Sequence, residues 1–254
     1  MRPALCRGDL AHAISASFQS RVKTALEIIG KAARIGRIGV YFSGGKDSTV
    51  LLDLVRRVQP ECAAVWFDSG AEYRATYEMA QVYHVRVIQP LLSLPEMCRR
   101  AGVWGASATE AEAQFDYGMF LLQEPAYRAV LEEGLSVEAL GLRAEENTHR
   151  RASLGRKDRG ELYPLSWGTW RLCPLAFWNT NDVWAYIASE ELEYNAAYDK
   201  MAQAGIPREK WRVSTLLGSE GLRSSSRYAV LRRVEPETYE RLAAEFPHIR
   251  RFAE

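Results

Sequence analysis

The stretch Ile38-Gly39-Val40-Tyr41-Phe42-Ser43-Gly44-Gly45-Lys46-Asp47-Ser48 decides how this chain is read. Its first five residues, mostly β-branched and aromatic, predict a short buried strand. Beyond Lys46, Val50, Leu51, Leu54, Val55 and Val58 keep helical spacing. A Ser-Gly-Gly turn therefore joins a strand to a helix start. Paired glycines let backbone N–H groups approach an anion closely, and the helix N-terminus adds partial positive charge. Ser43 and Ser48 supply hydroxyls and Lys46 a point charge, so the turn reads as a phosphate cradle. A Walker A loop would need glycine where Val40 stands and Ser or Thr where Asp47 stands. The plain alternative, a serine-capped Gly-Gly turn, is disfavoured because strand, turn and helix fall in the required order.

Working outward, apolar residues at 18, 22, 25, 26, 29, 32 and 33 predict an amphipathic helix ahead of the strand. Cys62–Phe67 predicts a second buried strand, followed by Asp68-Ser69-Gly70 and a helix through about Tyr83; Val85–Gln89 predicts a third strand. The stretch 90–134 breaks this rhythm and reads as a helical insertion. Val137–Leu142 resumes the sheet, and Arg171–Leu175 predicts a fifth strand before a helix capped by Thr180 or Asn181. Past residue 200 the pattern suggests irregular turns and one helix near Pro236. Strands separated by helix-length segments imply parallel βαβ units with right-handed crossovers. The expected fold is α/β: a Rossmann-like, five-stranded parallel sheet with helices on both faces. Its divisions are an N-terminal helical segment (1–35), a nucleotide-binding domain (36–200) and a basic extension (201–254).

At 254 residues and 47% hydrophobic content the chain can bury a substantial core, and a net charge of +1 excludes a global field for nucleic acid or membrane. Charge is nonetheless uneven: residues 208–233 hold seven basic against two acidic side chains. That run suits either a solvated helical face or a docking surface for a polyanion. Neither a leader-like N-terminus nor a run of membrane-spanning length is present, so a cytoplasmic location and no membrane partner are expected. Cys6, Cys62, Cys98 and Cys173 are scattered without a C-x-x-C pair, which fits reduced thiols and not a disulfide frame or zinc ribbon.

Ligands of open parallel sheets sit beyond the strand C-termini. Four polar clusters fall there: 43–48, 68–72, 141–151 and 173–182. Asp68 can hold a ribose hydroxyl or cap a helix, and Gly70 can let a base lie against the backbone. In Gly141-Leu-Arg143-Ala-Glu145-Glu146-Asn-Thr-His149-Arg150-Arg151, Arg143 stands at a strand end, where it can meet phosphates. Glu145, Glu146 and Arg150 are acceptor-site or acid/base candidates, although Glu146 and Arg150 also have the spacing of a helical ion pair. Cys173 reads as a small buried residue before Pro174 or as a sulfur carrier. Trp178, Trp184 and Ile187 read as core.

These motifs resemble the phosphoadenosine phosphosulfate (PAPS) reductase-like family of PP-loop ATP pyrophosphatases, which has the adenine nucleotide α-hydrolase fold. The resemblance rests on Ser-Gly-Gly-x-Asp-Ser, Asp68-Ser-Gly, Gly141-x-Arg-x-x-Glu and Pro174-Leu-x-x-Trp-x-x-x-Asp-Val-Trp, and spans about residues 36–200. It implies that Ser43, Gly44, Gly45, Lys46, Asp47 and Ser48 hold ATP, with Asp68, Gly70, Gly141 and Arg143, and that Asp47 places Mg²⁺ directly or through water. One departure matters. Reductases of this family use a cysteine near the C-terminus in a Glu-Cys-Gly context, and no cysteine follows Cys173 here; paired iron–sulfur cysteines are also missing.

The sequence therefore leads to the expectation of adenylyl transfer and not sulfonucleotide reduction, with no iron–sulfur cluster. Lys46, Asp47 and Arg143 would be catalytic, ATP would be cleaved between its α and β phosphates, and the acceptor would be a DNA backbone phosphate destined for sulfur incorporation. Arg212, Arg223, Arg227, Arg232 and Arg233, interleaved with Trp211 and Tyr228, are the candidate DNA contacts. A cysteine desulfurase and other DNA-modification proteins are the matching partners, and a homodimer is left open. Rival readings are sulfate adenylylation, as in the ATP sulfurylase small subunit, and a nucleotide-binding regulatory module without turnover.

Overall fold

The computed structural model describes residues 2–101, 116–146, 148–155, 161–213 and 225–252. At its centre is a six-stranded sheet in the order β3-β2-β1-β4-β6-β5. The strands are β1 (Ile38–Tyr41), β2 (Ala63–Phe67), β3 (Arg86–Ile88), β4 (Val137–Ala139), β5 (Leu162–Pro164) and β6 (Trp170–Leu172). β1 pairs in parallel with both β2 and β4, with Val40 opposite Ala64 on one side and Ala139 on the other. β4 and β6 are also parallel, whereas β5 runs antiparallel at the edge. The expected five parallel strands are thus joined by a sixth of opposite direction. Three residues are too few to show an alternation in sequence, and Pro164, which cannot donate to a ladder, is tolerated because the strand lies at an edge. The fifth predicted strand ends at Leu172, short of the expected Leu175, because Pro174 cannot extend the ladder.

Eleven helices are described: α1 (Arg7–Ala13), α2 (Ala16–Ala33), α3 (Lys46–Val58), α4 (Arg74–Val82), α5 (Leu94–Ala101), α6 (Glu124–Glu133), α7 (Thr148–Leu154), α8 (Thr180–Ser189), α9 (Ala197–Gln203), α10 (Ser225–Val234) and α11 (Pro236–Glu245). One face of the sheet, carrying Ile38, Val40, Val137, Ala139 and Leu172, is buried in a single apolar cluster with Ile29 of α2, Leu51 of α3 and Trp184 of α8. On the other face Ala63, Val65, Phe67 and Ile88 meet Ala129 of α6. This two-sided burial is what parallel strands require, and it explains their near-continuous apolar runs.

Within the stretch 90–134, α6 serves as the crossover helix that covers the sheet between β3 and β4; residues 102–115 of that stretch lie outside the described residues. α9 and α10 have no counterpart in the sequence expectations, and α1 falls within the expected N-terminal helical segment without being singled out there. α1 docks on α8, where His12 Nε2 lies 2.8 Å from Asp182 Oδ1. α10 and α11 bury Tyr228, Leu231, Tyr239 and Leu242 against the main core. No helix among the described residues is long and apolar enough to cross a membrane.

The sheet order reverses between β1 and β4, and ligands of open α/β sheets gather at the carboxyl ends of strands flanking such a switch point. The Ser43–Ser48 turn and the Gly141–Glu146 segment leave the sheet there.

Candidate phosphate-binding site

The turn after β1 is shaped by bonds within itself. Ser48 Oγ accepts the Ser43 amide at 3.1 Å and donates to the Gly45 carbonyl at 2.9 Å. The Ser48 hydroxyl, expected on a phosphate, is thus engaged in closing the loop. Gly44 has φ +68°, and a Cβ there would lie 2.7 Å from Thr76 Cγ2 of α4, so both conformation and space demand glycine. Asn195 Nδ2 donates to the Gly44 carbonyl and to Thr76 Oγ1, each at 3.2 Å, fixing the turn from outside. The Lys46 amide, first of α3, donates to Tyr198 Oη at 3.1 Å.

Below the turn lies a chain of charges. Lys46, only 2% exposed, donates through Nζ to Asp47 Oδ2 at 2.8 Å. Asp47 Oδ1 accepts from Arg143 Nε at 2.6 Å, and Arg143 Nη1 reaches Glu145 Oε2 at 2.6 Å. Glu145 also accepts the Thr180 amide and hydroxyl at 2.7 and 2.9 Å, tying the β4 loop to the start of α8. Glu146 accepts the Arg143 amide at 3.1 Å and pairs with Arg150. Gly141 makes the arrangement possible: a Cβ there would stand 3.0 Å from the Asp47 carbonyl carbon. The adjacent Lys46 and Asp47 are thus joined by Arg143, which lies 96 residues further along the chain.

Burial pushes the Lys46 ammonium below its ordinary pKa, Asp47 opposes this, and Arg143 and Arg212 add to it. For Asp47, burial alone would disfavour the charge, yet Lys46 and Arg143 outweigh it and hold the carboxyl below the usual range. The chain is balanced, two buried cations against Asp47 and Glu145, and Arg212 adds a further positive charge near Lys46 that an anion can offset. The same arrangement does not fit Mg²⁺. Both oxygens of Asp47 already face cations, and no cluster of three His, Cys, Asp or Glu residues that could hold a metal occurs among the described residues. An Mg²⁺ ion placed directly by Asp47 would compete with Lys46 and Arg143 for the same two oxygens.

Other candidates lie elsewhere. Asp68 is occupied by internal donors, the Gly70 amide at 2.8 Å, Tyr77 Oη at 2.9 Å and Gln89 Nε2 at 3.1 Å. Gly70 takes φ +80° and borders a cavity of about 380 Å³ with Glu72, Arg74, Tyr77 and Arg241. Burial pushes the Glu72 carboxyl up to about 7, despite the 2.7 Å bond from Ser69 Oγ and with a further rise from Asp68. Cys173 is fully buried beside Leu154 and Ala176, and burial pushes its thiol up to about 11. Burial therefore favours the reading of Cys173 as a small core residue, since the thiolate is the reactive form. The basic segment also changes meaning. Trp211 and Tyr228, expected to stack on nucleic acid, are buried in the core, with Trp211 Nε1 donating to the Ile206 carbonyl at 2.8 Å. Arg233 donates to the Ala204 carbonyl at 2.5 Å, and Arg232 lies 5.9 Å from the Tyr239 ring centre. Arg212 is close enough to Lys46 to act on its charge. Arg223 lies outside the described residues, and of Arg227 only its place on α10 is described.

Sequence reasoning missed Tyr198, Asn195 and Thr76. They come from α4 and the start of α9, where no glycine pair or charge cluster flags them; only the fold places them on the turn.

A glycine turn at the switch point of a doubly wound sheet, with a buried Lys-Asp-Arg chain beneath it, defines a PP-loop protein of Rossmann-like architecture. Residues 37–242 match the phosphoadenosine phosphosulfate reductase domain, and the chain belongs to that family. An adenosine 5′-phosphosulfate reductase of Geobacillus thermodenitrificans is 30% identical over 71% of this chain and 76% of its own. A phosphoadenosine 5′-phosphosulfate reductase of a Synechococcus strain is 26% identical over 70% of this chain and 77% of its own. Among solved structures, the PAPS reductase of Candida auris, in its phosphate complex, shares the fold with a TM-score of 0.52 at 21% identity. The match covers 73% of this chain and 92% of that one.

These relatives overturn the functional expectation drawn from the sequence. Adenylyl transfer to a DNA phosphate is replaced by the chemistry of a sulfonucleotide reductase family. The missing cysteine does not exclude this chemistry, because the residues that grip a nucleotide and the thiol that attacks it are physically separable. The absence of a thiol after Cys173 says nothing about the anion site.

Proposed function

We propose that this protein binds an adenylyl sulfate, adenosine 5′-phosphosulfate (APS) or PAPS, and directs its reduction to sulfite by an external dithiol. The observation that carries the reading is the buried pair of cations, Lys46 and Arg143, bridged by Asp47 beneath the glycine turn of a chain in this family. The phosphosulfate end would face these cations. The cavity beside Gly70 and Glu72, at the end of the neighbouring strand, has a volume suited to a nucleoside.

In the reaction, a thiolate attacks the sulfur of the phosphosulfate. The bond from that sulfur to the bridging oxygen breaks, and its electron pair leaves with the nucleotide phosphate. Lys46 and Arg143 stabilise that departing charge from fixed positions. The product is a thiosulfonate, R–S–SO₃⁻. A second thiolate then attacks the R–S sulfur, forming a disulfide and releasing sulfite, so the dithiol supplies both electrons. Cys62, Cys98 and Cys173 are buried, and burial raises each thiol above its ordinary range, while the exposed Cys6 stands at the start of α1 and bonds to none of the turn residues. They are poor candidates for the attacking group, which is why the dithiol is placed on another molecule.

Calorimetric titration with APS, PAPS and ATP tests the reading. The wild-type protein should bind a sulfonucleotide more tightly than ATP, and Lys46→Ala should weaken that binding about 10- to 100-fold by removing a charged donor. Equal affinity in the variant, or a preference for ATP, would overturn it.

A further inference from the structure

We infer that the Tyr198 hydroxyl is itself an anion-binding donor of the glycine turn, standing in for the Lys46 amide that it occupies. This rests on the reading of the turn as the phosphosulfate site. The first amide of a helix following such a turn ordinarily points at the ligand. Here that N–H ends on Tyr198 Oη at 3.1 Å, so the phenolic oxygen takes the position an anion oxygen would fill.

A ligand must then either displace the phenol or bind through it. Displacement is blocked. Tyr198 is 2% exposed, and its ring lies 5.3 Å from the Trp184 ring and 6.2 Å from the Trp211 ring, both buried. A ring packed in this way cannot swing aside without opening the core. Binding through the phenol is open. A hydroxyl carries one donor and two acceptor sites. The Lys46 amide uses an acceptor site, and the hydroxyl proton has no acceptor among the described residues.

The hydroxyl also faces the correct space. A Cβ added to Gly45 would lie 3.4 Å from Tyr198 Oη, from Ser43 Oγ and from Val213 Cγ2, so these three groups wall the hollow over Gly45. Burial and the nearby Asp47 carboxylate raise the phenol well above its ordinary pKa, so it remains a donor throughout the neutral range. The Asn195 side chain, three residues earlier, anchors Gly44, so one short segment both shapes the turn and supplies its extra donor.

The test compares wild type, Tyr198→Phe and Lys46→Ala by calorimetry with APS and with adenosine, alongside thermal unfolding. Phenylalanine keeps the ring and removes only the hydroxyl. Tyr198→Phe should weaken APS binding about 10- to 100-fold, leave adenosine binding unchanged and lower the unfolding temperature by only a few degrees, as the Lys46 amide loses its acceptor. If Tyr198→Phe binds APS as wild type does while Lys46→Ala does not, the hydroxyl is no donor and the inference falls. It falls too if APS and adenosine weaken equally, since that marks a structural role. A wild-type protein that binds no APS defeats the proposed function itself, and this inference with it.

Discussion

Asp47 is the hinge of the site's electrostatics. It neutralises two cations that would otherwise face each other across the base of the turn: Lys46 Nζ at 2.8 Å and Arg143 Nε at 2.6 Å. Asp47→Asn keeps the shape and removes the charge, so it should cost about 3 kcal/mol of stability, as expected for a broken buried ion pair. Urea unfolding measures the loss, and added inorganic pyrophosphate should restore part of it by supplying the missing negative charge. No recovery would mean that the anion does not bind between these cations. Lys46 gives a further prediction. Its pKa is depressed in the free protein, chiefly by burial, and an anion beside it raises that pKa. Between the two values, binding takes up a proton, so affinity falls as pH rises through that window. Titrations in buffers of different ionisation enthalpy count the protons; release in place of uptake would contradict the assignment.

Among the elements, the site depends on how closely β4 and α8 approach α3. Gly141 permits the contact between the β4 loop and the first turn of α3, where a methyl group would press on the Asp47 backbone. Gly141→Ala should cost about 1–3 kcal/mol through overpacking and weaken sulfonucleotide binding, because Arg143 moves with the loop. Parallel losses in urea unfolding and titration support this; a fully stable variant with unaltered binding refutes it. The start of α8 is set by Asn179, whose side chain accepts the Asp182 amide at 2.9 Å while Asp182 accepts the Asn179 amide at 2.7 Å. These distances also mark what the sequence could and could not disclose. The turn at 43–48 was legible because strand period, glycine pair and helix period follow one another within about twenty residues. Gly141 and Arg143 were legible from their place after a strand. The Tyr198 hydroxyl was not, since its partner is 152 residues away in sequence and nothing local distinguishes it from a core tyrosine. β5 and α1 were hidden by their shortness, and the basic 208–233 run misled because sequence cannot show that Trp211 and Tyr228 point inward.

For the whole molecule, the site is where otherwise separate parts meet: the β1 turn, the β4 loop, the start of α8 and the start of α9. A ligand that bridges them should stabilise the entire fold. At a hundredfold excess over its dissociation constant it adds about 2.7 kcal/mol, or roughly 5–10 °C in unfolding temperature for a chain of this size. Lys46→Ala should abolish most of that shift at the same concentration. The most direct trial of the account is the fate of sulfur-labelled PAPS or APS incubated with the protein and a reduced dithiol. The predicted result is labelled sulfite, with the sulfur-free nucleotide formed in equal amount and far less of both formed by Lys46→Ala at the same sulfonucleotide concentration. Intact sulfonucleotide after incubation with both dithiol proteins and small dithiols, together with pyrophosphate release from ATP, would contradict it.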